Sequence, residues 1–291
     1  MKSTSIAQAL VEATQLLRKA EIAVARRDAA TLLANLIERD NTYLIAHAER
    51  ELTADEIARY RDAIARRAAG EPLQYITGHQ EFFNLDFVVT PDVLIPRPDT
   101  ELLVETALDL IDKNEVQSIC DIGTGCGCIA ISVLYERPRA RVVALDISPS
   151  ALGVAARNAA RHGVGERLDL VASDCFTALE PSRARFDLIA SNPPYVVEET
   201  FNTLQREVRE HEPRGALTPG GDGLAMVRRL LADAPDFLLP GGHLLIEIGF
   251  DQHEAVREMI DRQLWALLDI HKDIQGIPRT VVVKKRSEEQ A

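Results

Sequence analysis

From residue 116 onward, short apolar runs rich in β-formers alternate with helix-patterned segments, and few folds accept that alternation. The strand candidates are "VQSICDI" (116–122), "ARVVALDI" (140–147), "LDLVAS" (168–173), "FDLIAS" (186–191) and "HLLIEIG" (243–249). Helical stretches lie between them near 127–136 and 150–162. Strands that are apolar along their length must be covered on both faces. The pattern therefore predicts an α/β fold, a doubly wound and mostly parallel sheet. The end departs from it: "WALLDIHKD" and "RTVVVKK" flank a Gly276/Pro278 turn and read as an antiparallel pair, bringing the sheet to seven strands. The tail "KKRSEEQA" is expected to fray.

The first 70 residues follow another rule. They are alanine-rich, with amphipathic spacing over about 4–20 and 25–39. In "TADEIARYRDAIARRAAG", Thr53 and Glu56 form a capping box, Arg66 and Arg67 sit at the far end, and Gly70 stops the helix. Residues 1–70 thus predict a small helical bundle. Residues 71–95 hold "FFNLDFVVT", which reads as a β-hairpin connector turning at Asn84. The second domain covers 96–291 and opens on "IPRPDTELLVETALDLI", a helix capped by Asp99 or Thr100. A chain of 291 residues accommodates both domains.

Charge narrows the partners. The net charge is −12, and it is unevenly placed. Residues 1–70 carry 11 basic and 10 acidic side chains, whereas the remainder carries 22 against 35. An acidic body repels a phosphate backbone, so no nucleic-acid partner is expected. Four cysteines (120, 126, 128 and 175) without a CxxC pair read as reduced thiols of a cytoplasmic protein, and no metal is expected. The N-terminal apolar residues keep helical spacing rather than forming a leader, and no run approaches the ~18 residues of a membrane span. A monomer is expected.

The chemistry concentrates at the carboxyl ends of the strands, where open α/β sheets bind ligands. "DIGTGCGCIAI" joins the first strand to a helix, with Gly123, Gly125 and Gly127 at alternate positions around Thr124 and Cys126. Such a loop brings its backbone close to a ligand. The spacing is neither a GxGxxG dinucleotide fingerprint nor a phosphate loop, and Asp121 just before it would repel a pyrophosphate. An acid there suits an ammonium group. Asp146, followed by Ile147, ends the second strand where a carboxylate accepts ribose hydroxyls; the alternative is a cap for the Ser148/Pro149 helix. Asp174 ends the third and is read as holding an adenine amino group, with Cys175 or Phe176 packing on the ring. A nucleoside with a cationic amino-acid end is S-adenosylmethionine.

The fourth strand runs into Asn192-Pro193-Pro194-Tyr195. The prolines bias the chain toward an extended conformation and remove two N–H donors. Asn192 adds an acceptor oxygen and Tyr195 a flat face. Two acceptors and a ring suit a planar –NH2 group, an amide or aromatic amine, held for methyl transfer. A rigid turn is the plainer alternative.

With "YITGHQEFFNLDF", "LIPRPDTELLVE", "DIGTGCGCIAI", "ALDIS", "SNPPYV", "HEPRGAL", "GGDGL" and "LLIEIG" in shared order, the chain resembles the bacterial release factor glutamine methyltransferases, the PrmC/HemK family. The resemblance implies a class I methyltransferase domain behind the helical bundle. It implies N5-methylation of the glutamine in the Gly-Gly-Gln motif of class 1 peptide chain release factors, with the bundle helping to dock that protein. By it, Gly123 to Gly127 and Asp146 bind the cofactor, and Asn192 to Tyr195 bind the amide, with Asn192 also near the cofactor. Members often carry Trp where this chain has Cys175, and Phe176 is read as compensating. Arg97 and Glu101 match a family stretch but read as bracing the interdomain loop, Arg214 reads as structural and His211 as an exposed side chain rather than a base, and Glu247 is assigned no chemical role. The rival readings are glutamine methylation of a large-subunit ribosomal protein, methylation of an exocyclic amine in nucleic acid, and nucleoside binding without catalysis.

Overall fold

The computed structural model describes residues 4–286. They divide into two compact units: residues 4–79 with 205–211, and residues 80–204 with 212–286.

The first unit contains α1 (Ile6–Lys19), α2 (Ala25–Leu36), α3 (Asn41–Ala46), α4 (Ala54–Ala68) and α5 (Leu73–Thr77). Ser5 with Gln8 and Thr53 with Glu56 make capping boxes that start α1 and α4. Ile6, Ala13 and Leu17 of α1, Leu32 and Leu33 of α2, and Ile64 of α4 share one core. Tyr60 crosses it, donating its hydroxyl proton to the Ala29 carbonyl at 2.9 Å. Arg67, at the end of α4, is buried between Asp28 at 2.8 Å and Glu207 at 2.7 Å. Glu207, half-buried, lies on α9 (Arg206–His211), so a helix remote in sequence is joined to this unit by an ion pair with a buried arginine.

The second unit is built on β1 (Ser118–Ile122), β2 (Arg141–Asp146), β3 (Leu168–Ala172), β4 (Phe186–Ser191), β5 (Leu238–Glu247), β6 (Trp265–Lys272) and β7 (Pro278–Lys285). Their order is β6-β7-β5-β4-β1-β2-β3. Neighbours from β5 through β3 are parallel, and β7 is antiparallel to both β5 and β6. The remaining helices are α6 (Glu101–Leu110), α7 (Cys128–Glu136), α8 (Pro149–Arg161), α10 (Arg214–Leu217), α11 (Ala225–Asp233) and α12 (His253–Met259). Cys120 and Ile122 of β1 pack into a core with Val227 and Leu230 of α11 and Val256 of α12. Strand side chains alternate between faces, so the intervening Asp121 points away from that core.

Three expectations change. β5 begins at Leu238, five residues early, because Pro240-Gly241-Gly242 is absorbed as an irregularity in its pairing with β4. Thr100 precedes α6 but makes no capping bond; its hydroxyl is engaged elsewhere. Lys284 and Lys285 do not fray, since they pair with His243 of β5 and Trp265 of β6. The rest of the tail, 287–291, lies outside the described residues. The hairpin strands are His79–Phe82 and Leu85–Val88, turning at Phe83 and Asn84 with φ of 51° and 59°. Glu101 braces that turn, accepting from the Phe83 amide at 2.9 Å. Among the described residues no helix is long and apolar enough to cross a membrane.

Candidate active site

β1 and β4 are parallel neighbours with Ile122 opposite Ser191, so Gly123 and Asn192 leave the same edge side by side. Ser191 Oγ donates to the Ile122 carbonyl at 2.8 Å and locks the two strand ends. A Cβ at Gly123 would stand 4.0 Å from the Asn192 carbonyl oxygen. The glycine loop and the Asn-Pro-Pro-Tyr segment are therefore brought together. Gly123, Gly125 and Gly127 all have positive φ, from 56° to 84°. At Gly127 the φ of 84° favours glycine, and a Cβ would also crowd Ile131 Cδ1 at 2.8 Å and Ala155 Cβ at 3.3 Å.

Two carboxylates shape the loop. Asp146 accepts from the Gly125 amide at 2.8 Å through Oδ2 and from the Ser148 amide at 2.9 Å through Oδ1. The cap of α8 is Ser148, which accepts from the Ala151 amide. Each Asp146 oxygen keeps a second lone pair for a ligand hydroxyl. Ile147 beside it is 72% exposed. Asp121 is fully buried, accepts from Thr124 Oγ1 at 2.6 Å, and leaves Oδ1 without a partner. Burial pushes its pKa up to about 7, against the Thr124 hydrogen bond that pulls it down; the nearby Asp146 adds to the rise.

Cys126 is buried in the loop, and its carbonyl accepts from Asn158 Nδ2 at 2.9 Å. The same Asn158, on α8, also bonds the Val88 carbonyl and amide, tying the loop to the hairpin. Sequence reasoning missed it, because one asparagine on an amphipathic helix carries no signal. Asp174 pairs with Arg229, Nη1 to Oδ1 at 2.5 Å. Cys175 and Phe176 lie in the hydrophobic core, and Phe176 has one ring face covered by Phe237 at 4.5 Å. Burial raises the Cys175 thiol to about 11.

The cradle is held from behind. Asn192 Nδ2 donates to Thr100 Oγ1 at 2.9 Å, which leaves Oδ1 as an acceptor. Pro193 is buried and Pro194 half-buried. The Tyr195 hydroxyl donates to Glu247 Oε1 at 3.3 Å, and the Tyr195 carbonyl accepts from Gln252 Nε2 at 2.9 Å. Gln252 is oriented by the Gly249 amide at 2.9 Å. Gly223, from "GGDGL", passes so close that a Cβ there would sit 2.3 Å from the Tyr195 carbonyl oxygen. Glu247, which the sequence left without a role, is thus a completely buried acid in contact with the cradle. Its burial pushes the pKa to about 7, with Thr100 and Tyr195 lowering it and Asp99 raising it. Burial and Glu247 together raise the Tyr195 phenol.

The outer residues brace, as expected from "PRPDTE" and "HEPRGAL". Arg97 pairs with buried Glu212 at 2.6 Å, and Glu212 also accepts from the Ile95 amide. Arg214 pairs with Glu198 and lies 4.2 Å over the Phe201 ring. His211, expected to be exposed, is instead half-buried at the end of α9.

Relatives place this arrangement in a family. The profile of the PrmC N-terminal domain matches residues 8–78, and that of the methyltransferase small domain matches 98–227. A release factor glutamine methyltransferase of Koribacter versatilis is 44% identical over 281 residues, 97% of this chain and 99% of its own. One from Burkholderia pseudomallei is 47% identical over 256 residues, 87% and 89% of the two chains. A methyltransferase of Pyrococcus furiosus, 18% identical, shares the fold with a TM-score of 0.53 over 81% of this chain and all of that one. With both profiles in order and identity of this level over nearly the whole length, the chain belongs to the release factor glutamine methyltransferase family.

Proposed function

We propose that this enzyme methylates the side-chain amide nitrogen of the glutamine in the Gly-Gly-Gln motif of class 1 peptide chain release factors, with S-adenosylmethionine as donor. The observation that carries the reading is the Asn192 carboxamide, held by Thr100 with its oxygen left over, at the same sheet edge as the glycine loop.

The loop fits the cofactor chemically. Asp121 Oδ1 is an unpartnered buried acceptor, and a cationic ammonium beside it would satisfy that oxygen and lower its pKa. Gly123 to Gly127 would follow the amino-acid end, Asp146 with neighbouring Ile147 the ribose, and Asp174 the adenine edge, near the buried Cys175 and Phe176. Bound there, S-adenosylmethionine supplies an electrophilic methyl group. This chain's residues do the rest. Asn192 Oδ1 and a backbone carbonyl of the Asn192–Pro193 segment accept the two amide N–H bonds, and Tyr195 covers the plane with Pro194. An amide nitrogen is a poor nucleophile. Accepting hydrogen bonds from both N–H groups moves charge onto it, and fixing its direction supplies the orientation that transfer needs; one of those protons leaves the nitrogen after transfer. The same acceptors stabilise positive charge as it develops on nitrogen, the converse of an oxyanion hole.

The test is to incubate the protein with methyl-labelled S-adenosylmethionine and, separately, a class 1 release factor, large-subunit ribosomal protein and RNA, then locate the methyl group by mass spectrometry. The expected product is the release-factor glutamine. Label on the ribosomal protein alone, or on RNA and no protein, overturns the reading.

A further inference from the structure

Ser191 is the last residue of β4 in register with β5, opposite Ile246. Pro193 and Pro194 then remove two of the backbone N–H groups that could carry the ladder further. Past that point the cradle has to be held through its carbonyls and by side chains.

One peptide plane carries much of the hold. Its N–H, on Val196, donates to the Leu217 carbonyl at 2.9 Å, and its C=O, on Tyr195, accepts from Gln252 Nε2 at 2.9 Å. A peptide unit is rigid, so bonds at both ends fix its orientation. Gln252 is 5% exposed, and its Oε1 accepts from the Gly249 amide at 2.9 Å. Both partners are backbone groups with one role each: an N–H only donates and a C=O only accepts. The carboxamide therefore has a single orientation, Oε1 toward Gly249 and Nε2 toward Tyr195. Gln252 stands where α12 begins, and its own carbonyl accepts from the amide of Val256, a core residue, at 2.9 Å. The donor is thus anchored from the core, by α12 and the end of β5, independently of the cradle it grips.

We propose that Gln252 is a positioning residue for methyl transfer: by holding the Tyr195 carbonyl it sets the direction in which the Tyr195 ring leaves the chain. The far end of that ring meets Glu247 Oε1 at 3.3 Å, so the backbone end and the hydroxyl end of Tyr195 are held separately. Gln252 also closes an acceptor. Gly223 packs against the same carbonyl oxygen, which is then closed to a substrate N–H. The substrate's two N–H groups are left to Asn192 Oδ1 and the carbonyls of the Asn192–Pro193 segment. The inference rests on the reading that Tyr195 covers the plane of a substrate amide.

Two variants of similar length test it. Gln252→Met loses both hydrogen bonds, and Gln252→Glu puts an oxygen where Nε2 stood. Gln252→Met should lower kcat about 100-fold, as misplacement in a reacting site does, with KM for the release factor and S-adenosylmethionine affinity nearly unchanged. Gln252→Glu should be as slow at about pH 8, where an ionised carboxylate faces the carbonyl oxygen. It should recover toward the wild type at about pH 6, where the protonated acid donates to that oxygen. Glu247 across Tyr195, and Asp251 and His253 beside residue 252, are common to both proteins, so the ratio of variant to wild type at each pH reports residue 252 alone. In substrate-free protein with isotope-labelled tyrosine, the Tyr195 ring signal, assigned by its absence from Tyr195→Phe, should move in Gln252→Met. Wild-type kcat in Gln252→Met, an unmoved ring signal, a loss in Gln252→Glu that ignores pH, or cofactor affinity that falls in step with kcat overturns the proposal. If the wild type labels ribosomal protein or RNA instead, and the variants slow that transfer as stated, the substrate assignment falls and the positioning role stands; transfer to none of them overturns both.

Discussion

At the residue scale, the site depends on groups whose chemistry is modest and whose placement is not. Asn192 is the sharpest case. Asn192→Ala removes the acceptor but also the bond to Thr100, and neither touches the glycine loop. Transfer should be lost while calorimetry retains most cofactor affinity; full turnover would refute the cradle. Gly223 is the less obvious case. It has a φ of 77°, and a Cβ would meet the Tyr195 carbonyl oxygen at 2.3 Å. Backbone cannot yield as a flexible side chain does, so Gly223→Ala should push Tyr195 out of line. The expected result is a kcat loss of about 100-fold from misplacement, with cofactor affinity little changed; wild-type kcat would show that Tyr195 tolerates the shift. The chemistry of Asn192 to Tyr195 was legible because prolines and a tyrosine in that order are rare after a strand. The residues behind it were not. Thr100 reads as a helix cap and Glu247 as a strand end, and only the fold brings the first to Asn192 and the second to Tyr195.

At the element scale, the parallel strands were legible from alternation alone, because each apolar run is bounded by a turn or helix signal. The start of β5 was not, since Pro240-Gly241-Gly242 reads as a break until β4 is known to pair across it. The placement of α9 with the helical unit was also hidden, because it depends on Arg67 meeting Glu207 far along the chain. Asn158 is another long-range device. Its side chain serves the Cys126 carbonyl and both polar groups of Val88. Asn158→Ala leaves those backbone groups without partners in a buried region, which costs about 2–4 kcal/mol. The melting temperature should fall by roughly 5–15 °C. S-adenosylmethionine affinity should fall with it, because Cys126 belongs to the loop. A variant that melts as wild type does would mean that water replaces all three bonds.

At the scale of the whole molecule, two acids kept neutral inside the fold set how stability follows pH. Asp121 and Glu247 hold their protons to about pH 7, whereas in the unfolded chain they would lose them near 3.8 and 4.5. Between those values the unfolded state binds fewer protons than the folded one, so each group makes stability fall as pH rises. Below about pH 3 both states are protonated and the penalty vanishes; above about pH 8 it is fully developed. For Glu247 it amounts to roughly 3 kcal/mol, at about 1.4 kcal/mol per pKa unit. Glu247→Gln removes this contribution and little else that titrates. Its melting temperature should therefore gain on the wild type steadily from pH 4.5 to 7.5, then run parallel to it. The Gly-loop acid gives the companion result. A cationic ligand at Asp121 favours the ionised form, so S-adenosylmethionine should stabilise the wild type more at pH 8 than at pH 6, while Asp121→Asn should lose that difference. A stability gap between Glu247→Gln and wild type that is constant across the range would mean that Glu247 is already ionised in the fold. The buried carboxylate would then be balanced by Arg279, and the pH response of the molecule would have to arise elsewhere.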